Sequence, residues 1–377
     1  MGLLPSWFTV QIAFAPMPVP FFQALREIEI ETSIGRASIF RLHFDLSRNI
    51  FGDFDALAFD IFRPLLPVKI SVAAGLPIPQ VLINGYIKAA DLKAGSQPGT
   101  SRLEVVGMDA LGTIMTNNQL PLSWPNLSES AIAAVIFGRY AMLSLIDPMP
   151  PTRTVLDTTT TQLKYDAPYL MQLARCNNLE LYVQPDPFTG TDTGHLHRPL
   201  THFPHQGTLS IDFGKQTNLT QFNVSNDMLQ PTGIAGASVD QSTRAPLPVS
   251  AQFSTEFPMG AEPTLMRVLP PPVARQIPGC AANPTEATLQ ALARASATSR
   301  AISATGEVDG IQFARPLRVG LPVMVRGAGR LNSGAYYVQS VTHQISRDDY
   351  RQSFSAWRNA VGLTGTEVFA DPLAPAA

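Results

Sequence analysis

The chain has 377 residues, 45% of them hydrophobic and 15% charged, with a formal net charge of −2. That length supports two or three domains with their own cores. The near-neutral balance gives no electrostatic case for specific nucleic-acid binding. Two cysteines, Cys176 and Cys280, are too few for a disulfide scaffold and read as free thiols of a reducing compartment.

The N-terminal stretch is apolar, but it lacks a basic start and is broken by Pro5, Pro16, Pro18 and Pro20. It reads as neither a secretion signal nor a span, and no direct membrane insertion is expected. Strands are expected at Phe8 to Phe14, Glu27 to Glu31 and Ser38 to Leu46. In the last of these, Phe40, Leu42, Phe44 and Leu46 alternate with Arg41, His43 and Asp45, the pattern of a half-buried strand. From Pro64 to Gly112 the chain reads as a β-meander, ending the expected first β-barrel at residues 1–117.

Residues 118–207 change character to a small α/β insert. Ser128 is the expected N-cap of a helix bearing Ile132, Val135, Ile136 and Tyr140 at helical spacing. A second helix spans Ala167 to Asn177, with Asp166 as cap, Pro168 in the first turn and Leu170, Leu173 and Ala174 as the buried stripe. Asn177-Asn178 stops it, and Leu179 to Val183 is a strand.

Four histidines follow within eleven residues: His195, His197, His202 and His205. Imidazoles at that density are candidate zinc or nickel ligands. Pro199 and Pro204 prevent a helix from aligning them, and no cysteine joins them. The stretch therefore reads as a solvated loop to the second barrel.

That barrel is expected over residues 208–362. It starts with strands at Leu209 to Phe213 and Asn218 to Val224. Residues 244–283, rich in Pro, Ala and Gly, read as a long loop or arm. Asn283-Pro284 opens a helix over 284–300 with Glu286 in a capping-box position. Three alternating strands close the domain, at Val323/Val325, Tyr337 to Ile345 and Tyr350 to Trp357.

The segments 64–112 and 316–362 repeat one another. Each runs Pro-Leu, Pro-Val with alternation, and a Gly-rich turn, and they close on Asp109-Ala-Leu-Gly112 and Asn359-Ala-Val-Gly362. Shared order and spacing point to a duplicated β-domain. The expected fold class is mainly β: two tube-like antiparallel barrels joined by a small α/β domain.

The helix-strand Tyr169-Leu-Met-Gln-Leu-Ala-Arg-Cys-Asn-Asn-Leu-Glu-Leu-Tyr-Val183 resembles the insert of phage late control D proteins, the baseplate hub family of contractile tails. The block from Gly306-Glu-Val-Asp-Gly310 to Arg358-Asn359 is similar to the closing barrel of that family. The resemblance implies a homotrimer in a virion or injection-particle baseplate, assembled in the bacterial cytoplasm. Its implied partners are a separate trimeric spike, a tail tube or tube-initiator protein, and baseplate wedge proteins. Three chains with two similar barrels each would give a quasi-sixfold ring able to join a hexameric tube to a trimeric spike.

No nucleophile elbow, phosphate loop or metalloprotease helix is present, so no catalytic residue and no cofactor is assigned. The alternatives are a metal-dependent enzyme using the His195–His205 stretch and a tail-tip protein of a non-contractile phage. The tail after Gly362 has only Val368, Phe369 and Leu373 as apolar anchors. In the VgrG proteins of type VI secretion, to which the resemblance extends, a spike barrel follows at this point. Residues 363–377 are therefore expected to order only against a spike or a neighbouring subunit.

Overall fold

The computed structural model describes residues 7–48, 51–54, 61–75, 78–97, 99–117, 122–149, 160–202, 204–239, 244–267, 272–275 and 284–369. The first strands and helix are β1 (Trp7–Ile12), β2 (Ala15–Pro16), α1 (Val19–Ala24), β3 (Leu25–Ser33), β4 (Ile39–Leu46), β5 (Pro67–Ala73), β6 (Gln80–Lys93) and β7 (Ser101–Met108). The insert holds β8 (Leu122–Trp124), α2 (Glu129–Arg139), β9 (Leu143–Ile146), β10 (Thr160–Gln162), α3 (Asp166–Asn177), β11 (Glu180–Pro185) and β12 (Asp192–His197). Then follow β13 (Thr208–Ser210), β14 (Leu219–Asn226), β15 (Gly233–Val239), β16 (Pro246–Ala251), β17 (Glu262–Pro263), β18 (Val273–Arg275) and α4 (Pro284–Thr298). The last elements are β19 (Ile302–Asp309), α5 (Gly310–Phe313), β20 (Pro322–Arg326), α6 (Gly329–Asn332), β21 (Gly334–Ser346), β22 (Tyr350–Arg358) and β23 (Ala360–Val361).

The fold is mainly antiparallel β with an α/β insert. Thirteen strands belong to one continuous sheet, in which two sets repeat the same order: β3-β4-β7-β6-β5 and β14-β19-β22-β21-β20. The registers agree residue for residue. Phe44 pairs with Leu103 as Val308 pairs with Gln352, and Val68 pairs with Gly85 as Val323 pairs with Tyr336. Both sets carry a register shift between the same two pairs of positions. One lies at Leu25/Glu27 and Leu219/Gln221, the other at Ile87/Ala89 and Val338/Ser340. A bulge redirects every later side chain, so two shared bulges in matching strands mark one design used twice.

The pairing shifts the sequence match by one residue. Met108 stands opposite Ile39 and Tyr86, and Trp357 opposite Ser303 and Tyr337, so Arg358, not Asn359, takes the place of Asp109. Strand pairing, rather than the similar terminal tetrapeptides, fixes the equivalence. Before the meander, Leu65 N–H donates to Ile87 O and Gly320 N–H to Val338 O. Both turn residues have positive φ, 62° and 78°. Glycine accepts that conformation freely and leucine does not.

Each set curls over its own core. Phe21, Ile28, Ile30, Phe40, Leu42 and Phe44 lead the first cluster, and Leu209, Val308, Val323, Val338, Val341 and Phe354 the second. The insert has a third, in which Ile132, Ile136 and Phe137 of α2 meet Leu170 and Leu173 of α3 over β11 and β12. Gly194 permits that contact, because a Cβ there would lie 2.3 Å from the Phe137 ring.

Ser128 caps α2 by accepting from Ala131 N–H at 3.2 Å. Asp166 does not cap α3, whose N-cap is Tyr165. Buried in the first turn, its carboxylate instead accepts from Tyr140 Oη (2.9 Å) and Gln162 Nε2 (2.6 Å) and lies 3.5 Å from Arg139. The segment expected as a loop or arm contains β16, β17 and β18, and with β15 two of these make a small sheet under α4. The expected Asn283 cap lies outside the described residues. Cys176, in the last turn of α3, is disulfide-bonded. This corrects the free-thiol expectation and removes the argument for a reducing compartment; Cys280 lies outside the described residues.

Candidate functional site: the seam, its brace and the open edges

The two strand sets meet where β3 pairs with β21, from Ser33 opposite Ser340 to Glu27 opposite Ser346. On the core face of this seam Ile28, Ile30, Val341, His343 and Ile345 are at most 2% exposed. His343 Nδ1 lies 2.9 Å from Tyr350 Oη, and burial holds the imidazole down to about 3, so it is neutral. On the other face Glu27, Glu29 and Glu31 stand opposite Ser346, Gln344 and Thr342. Arg41 meets Glu29 at 3.0 Å and Arg36 meets Glu31 at 3.4 Å. A row of carboxylates thus faces a row of hydroxyls and an amide, with no like charges opposed.

The β11–β12 hairpin of the insert lies across this seam as a brace. Leu181 O accepts from Gly35 N–H (2.8 Å) and Pro187 O from Val81 N–H (2.9 Å). Asn84 Nδ2 donates to Gly190 O (2.7 Å) and Asp192 Oδ1 (2.9 Å), and Tyr337 Oη donates to Glu180 Oε2 (2.5 Å). From the segment before β20, Arg318 donates to Pro185 O (3.2 Å) and Val81 O (2.7 Å), joining the insert and both strand sets. Burial lowers its guanidinium to about 10, still charged at neutral pH.

Buried carboxyls cluster around the brace. Burial pushes Glu180 and Asp109 up to about 7 and Asp192 up to about 6. Backbone N–H groups of Ser38 and Gly112 oppose the shift at Asp109, Asn84 opposes it at Asp192, and Arg300 and Tyr337 oppose it at Glu180. Arg300 lies 3.9 Å from Glu180 but is held closer by Glu256, at 2.6 Å.

The histidines are not the single solvated loop expected. His195 and His197 lie on β12, stacked into the brace, because the strand alternation continues through them. His197 Nδ1 donates to Arg198 O (2.6 Å), which leaves Nε2 as an acceptor, with Tyr182 Oη at 3.3 Å and His195 Nδ1 at 3.2 Å beside it. The ring of His195 stacks on Tyr182 with centroids 4.3 Å apart. Burial holds His195 down to about 3, and it also lowers His197. His202 is exposed against Phe257, and His205 is half-buried. Among the described residues no three His, Cys, Asp or Glu side chains converge on one point.

Within the repeated sets, two stretches of strand edge bear on assembly. One is the edge of β14 away from β19; the other is residues 88–93 of β6, beyond the reach of β5. Near the C-terminus Arg358 is fully buried and donates to Met259 O (2.9 Å), Ser333 O (2.9 Å) and Gly362 O (2.6 Å). Asn359 accepts from Met259 N–H (2.9 Å) and donates to Phe257 O (3.0 Å). The Arg-Asn pair anchors the chain near residues 257–264. Beyond it Val368 is exposed and Phe369 half-buried; Leu373 lies outside the described residues.

The sequence reading missed Arg318, Glu180 and Tyr337. A signal for Arg318 existed: it stands two residues before Gly320, as Arg63 stands two before Leu65. Glu180 and Tyr337 carry no local mark, since their burial arises only when the insert docks.

No protein-family model and no curated protein matches the sequence. Solved structures do match. A tail protein from Neisseria meningitidis MC58 is 13% identical with a TM-score of 0.64, covering 94% of this chain and 97% of that one. The 43 kDa tail protein of prophage MuSo2 from Shewanella oneidensis is 12% identical with a TM-score of 0.65, covering 94% and 99%. An Escherichia coli component of the type VI secretion system, structurally similar to the T4 bacteriophage tail proteins gp27 and gp5, is 13% identical with a TM-score of 0.56, covering 93% and 76%. The chain has the fold of these phage tail and type VI secretion proteins.

Proposed function

We propose that the protein is a structural baseplate hub of a phage tail or phage-tail-like injection particle, acting as a homotrimeric adaptor between a hexameric tail tube and a trimeric spike. The observation that carries this is the duplication in matched register. Two equivalent strand sets per chain let three chains present six similar positions to a sixfold partner while keeping threefold symmetry for another. The role needs no bond made or broken, and we assign no catalytic residue, cofactor or metal. No helix among the described residues is long and apolar enough to cross a membrane, and the proposed location is the baseplate of the particle.

In this reading the spike docks near residues 363–377, with Val368, Phe369 and Leu373 as apolar anchors. Tube, tube-initiator and wedge proteins are the other proposed partners. Native mass measurement of the purified chain should give a trimer, and co-expressed tube and spike proteins should co-purify with it. Deleting residues 363–377 should leave the trimer and weaken spike recovery. A stable monomer, or undiminished spike recovery by the truncated chain, would overturn the corresponding part.

A further inference from the structure

We propose that the open edge of β14 hydrogen-bonds in antiparallel fashion to residues 88–93 of β6 in a second copy of this chain. Asn223 then lies opposite the partner's Lys93, Val224 opposite the partner's Leu92 and Ser225 opposite the partner's Asp91. The proposal rests on the trimeric reading and specifies the contact that builds the trimer.

The register follows from the duplication. The shared bulges make β14 the counterpart of β3, with Phe222 and Val224 in the places of Ile28 and Ile30. They likewise make β6 beyond Ile87 the counterpart of β21 beyond Val338, with Ala90 and Leu92 in the places of Val341 and His343. Within the chain the second-set strand β21 meets the first-set strand β3. The equivalent junction, second-set β14 with first-set β6, cannot form in the same chain while that seam exists, so it needs another copy.

Exposure supports the same contact. Ile28, Ile30, Val341 and His343 are sealed at the internal seam, whereas Leu92 is 45% exposed and Phe222 and Val224 are half-buried. These are core-face apolar groups left partly exposed along the two open edges. β14 also carries none of the usual protection of a free edge, having neither Pro nor Lys among its eight residues. The polar faces agree as well. At the internal seam the charged row belongs to the first set and the neutral hydroxyl or amide row to the second. Lys93 with Asn223 and Asp91 with Ser225 repeat that division, so no like charges are opposed.

The test is disulfide trapping in the full-length trimer. Asn223→Cys combined with Lys93→Cys places two thiols about 5 Å apart at Cβ across a strand pair. The control, Asn223→Cys with Ala89→Cys, displaces one partner by four residues, about 13 Å. Native mass first establishes that both variants assemble. Diamide oxidation should shift the matched variant from monomer to covalent trimer on a non-reducing gel and leave the control and single-cysteine variants as monomers. An intact trimer in which the matched pair traps no better than the control overturns the edge pairing and leaves the proposed function standing. Variants and parent that are all monomeric overturn both.

Discussion

Replacing Glu180 by Gln probes the brace with a predictable pH signature. Glu180 is 6% exposed, takes the Tyr337 hydroxyl at 2.5 Å, and shares Arg300 unfavourably with Glu256. Burial is the largest influence and raises the carboxyl from 4.5 to about 7. At 1.36 kcal/mol per pKa unit that rise corresponds to about 3 kcal/mol. The folded state favours the protonated form, so this stability is fully present below the unfolded value near 4.5. It is lost as the pH rises through about 7. Glu180→Gln keeps an acceptor for Tyr337 and cannot ionise. Urea unfolding at fixed protein concentration can be followed by Trp357, whose ring lies 4.9 Å from that of Tyr337. The wild type should weaken from about pH 5 to about pH 8, with the variant gaining up to about 3 kcal/mol on it over that range. Asp109 and Asp192 act in the same sense in both proteins and drop out of the difference. Parallel pH profiles for the two proteins would refute the reasoning.

Phe44→Asp buries an unpaired carboxylate in the first core, where Phe44 is 1% exposed; it should cost more than about 4 kcal/mol and abolish cooperative unfolding of that set by circular dichroism. His202→Ala with His205→Ala should change the unfolding free energy by less than about 0.5 kcal/mol and leave the trimer mass unchanged; joint loss of bound metal and trimer would restore the metal-site reading. Leu65→Gly relieves a leucine held at φ 62°, the position Gly320 fills in the second set, and should stabilise by up to about 1 kcal/mol in thermal unfolding despite the greater freedom of glycine in the unfolded chain.

The alternation of Phe40, Leu42, Phe44 and Leu46 made β4 legible, because a half-buried strand writes its burial at period two. The repeat was legible for a related reason: strand spacing and turn residues survive where side chains diverge. Its register was out by one at Asp109, since tetrapeptide likeness carries less information than a bulge. The His195 and His197 placement was hidden because Gly194 and the surrounding polar residues look like a loop until α2 covers them. Asp166 looked like a cap, and only the fold brings Gln162, Tyr140 and Arg139 to its carboxylate. The seam, the brace and Arg318 depend on contacts between residues more than 100 apart in sequence, beyond any local pattern.

The seam also has a consequence for biogenesis. Strand β3 emerges from the ribosome long before β21, and its edge stays unpaired through synthesis of the insert and α4. Any neighbouring chain offers the same complementary strand. The tether alone makes the self-pairing favoured, by holding β21 at a local concentration far above that of a separate molecule. A chain cut before β21 would keep a receptive edge on β3 without its own strand to fill it. Such fragments should capture β21 from intact copies, exchanging strands between subunits and poisoning assembly at low stoichiometry.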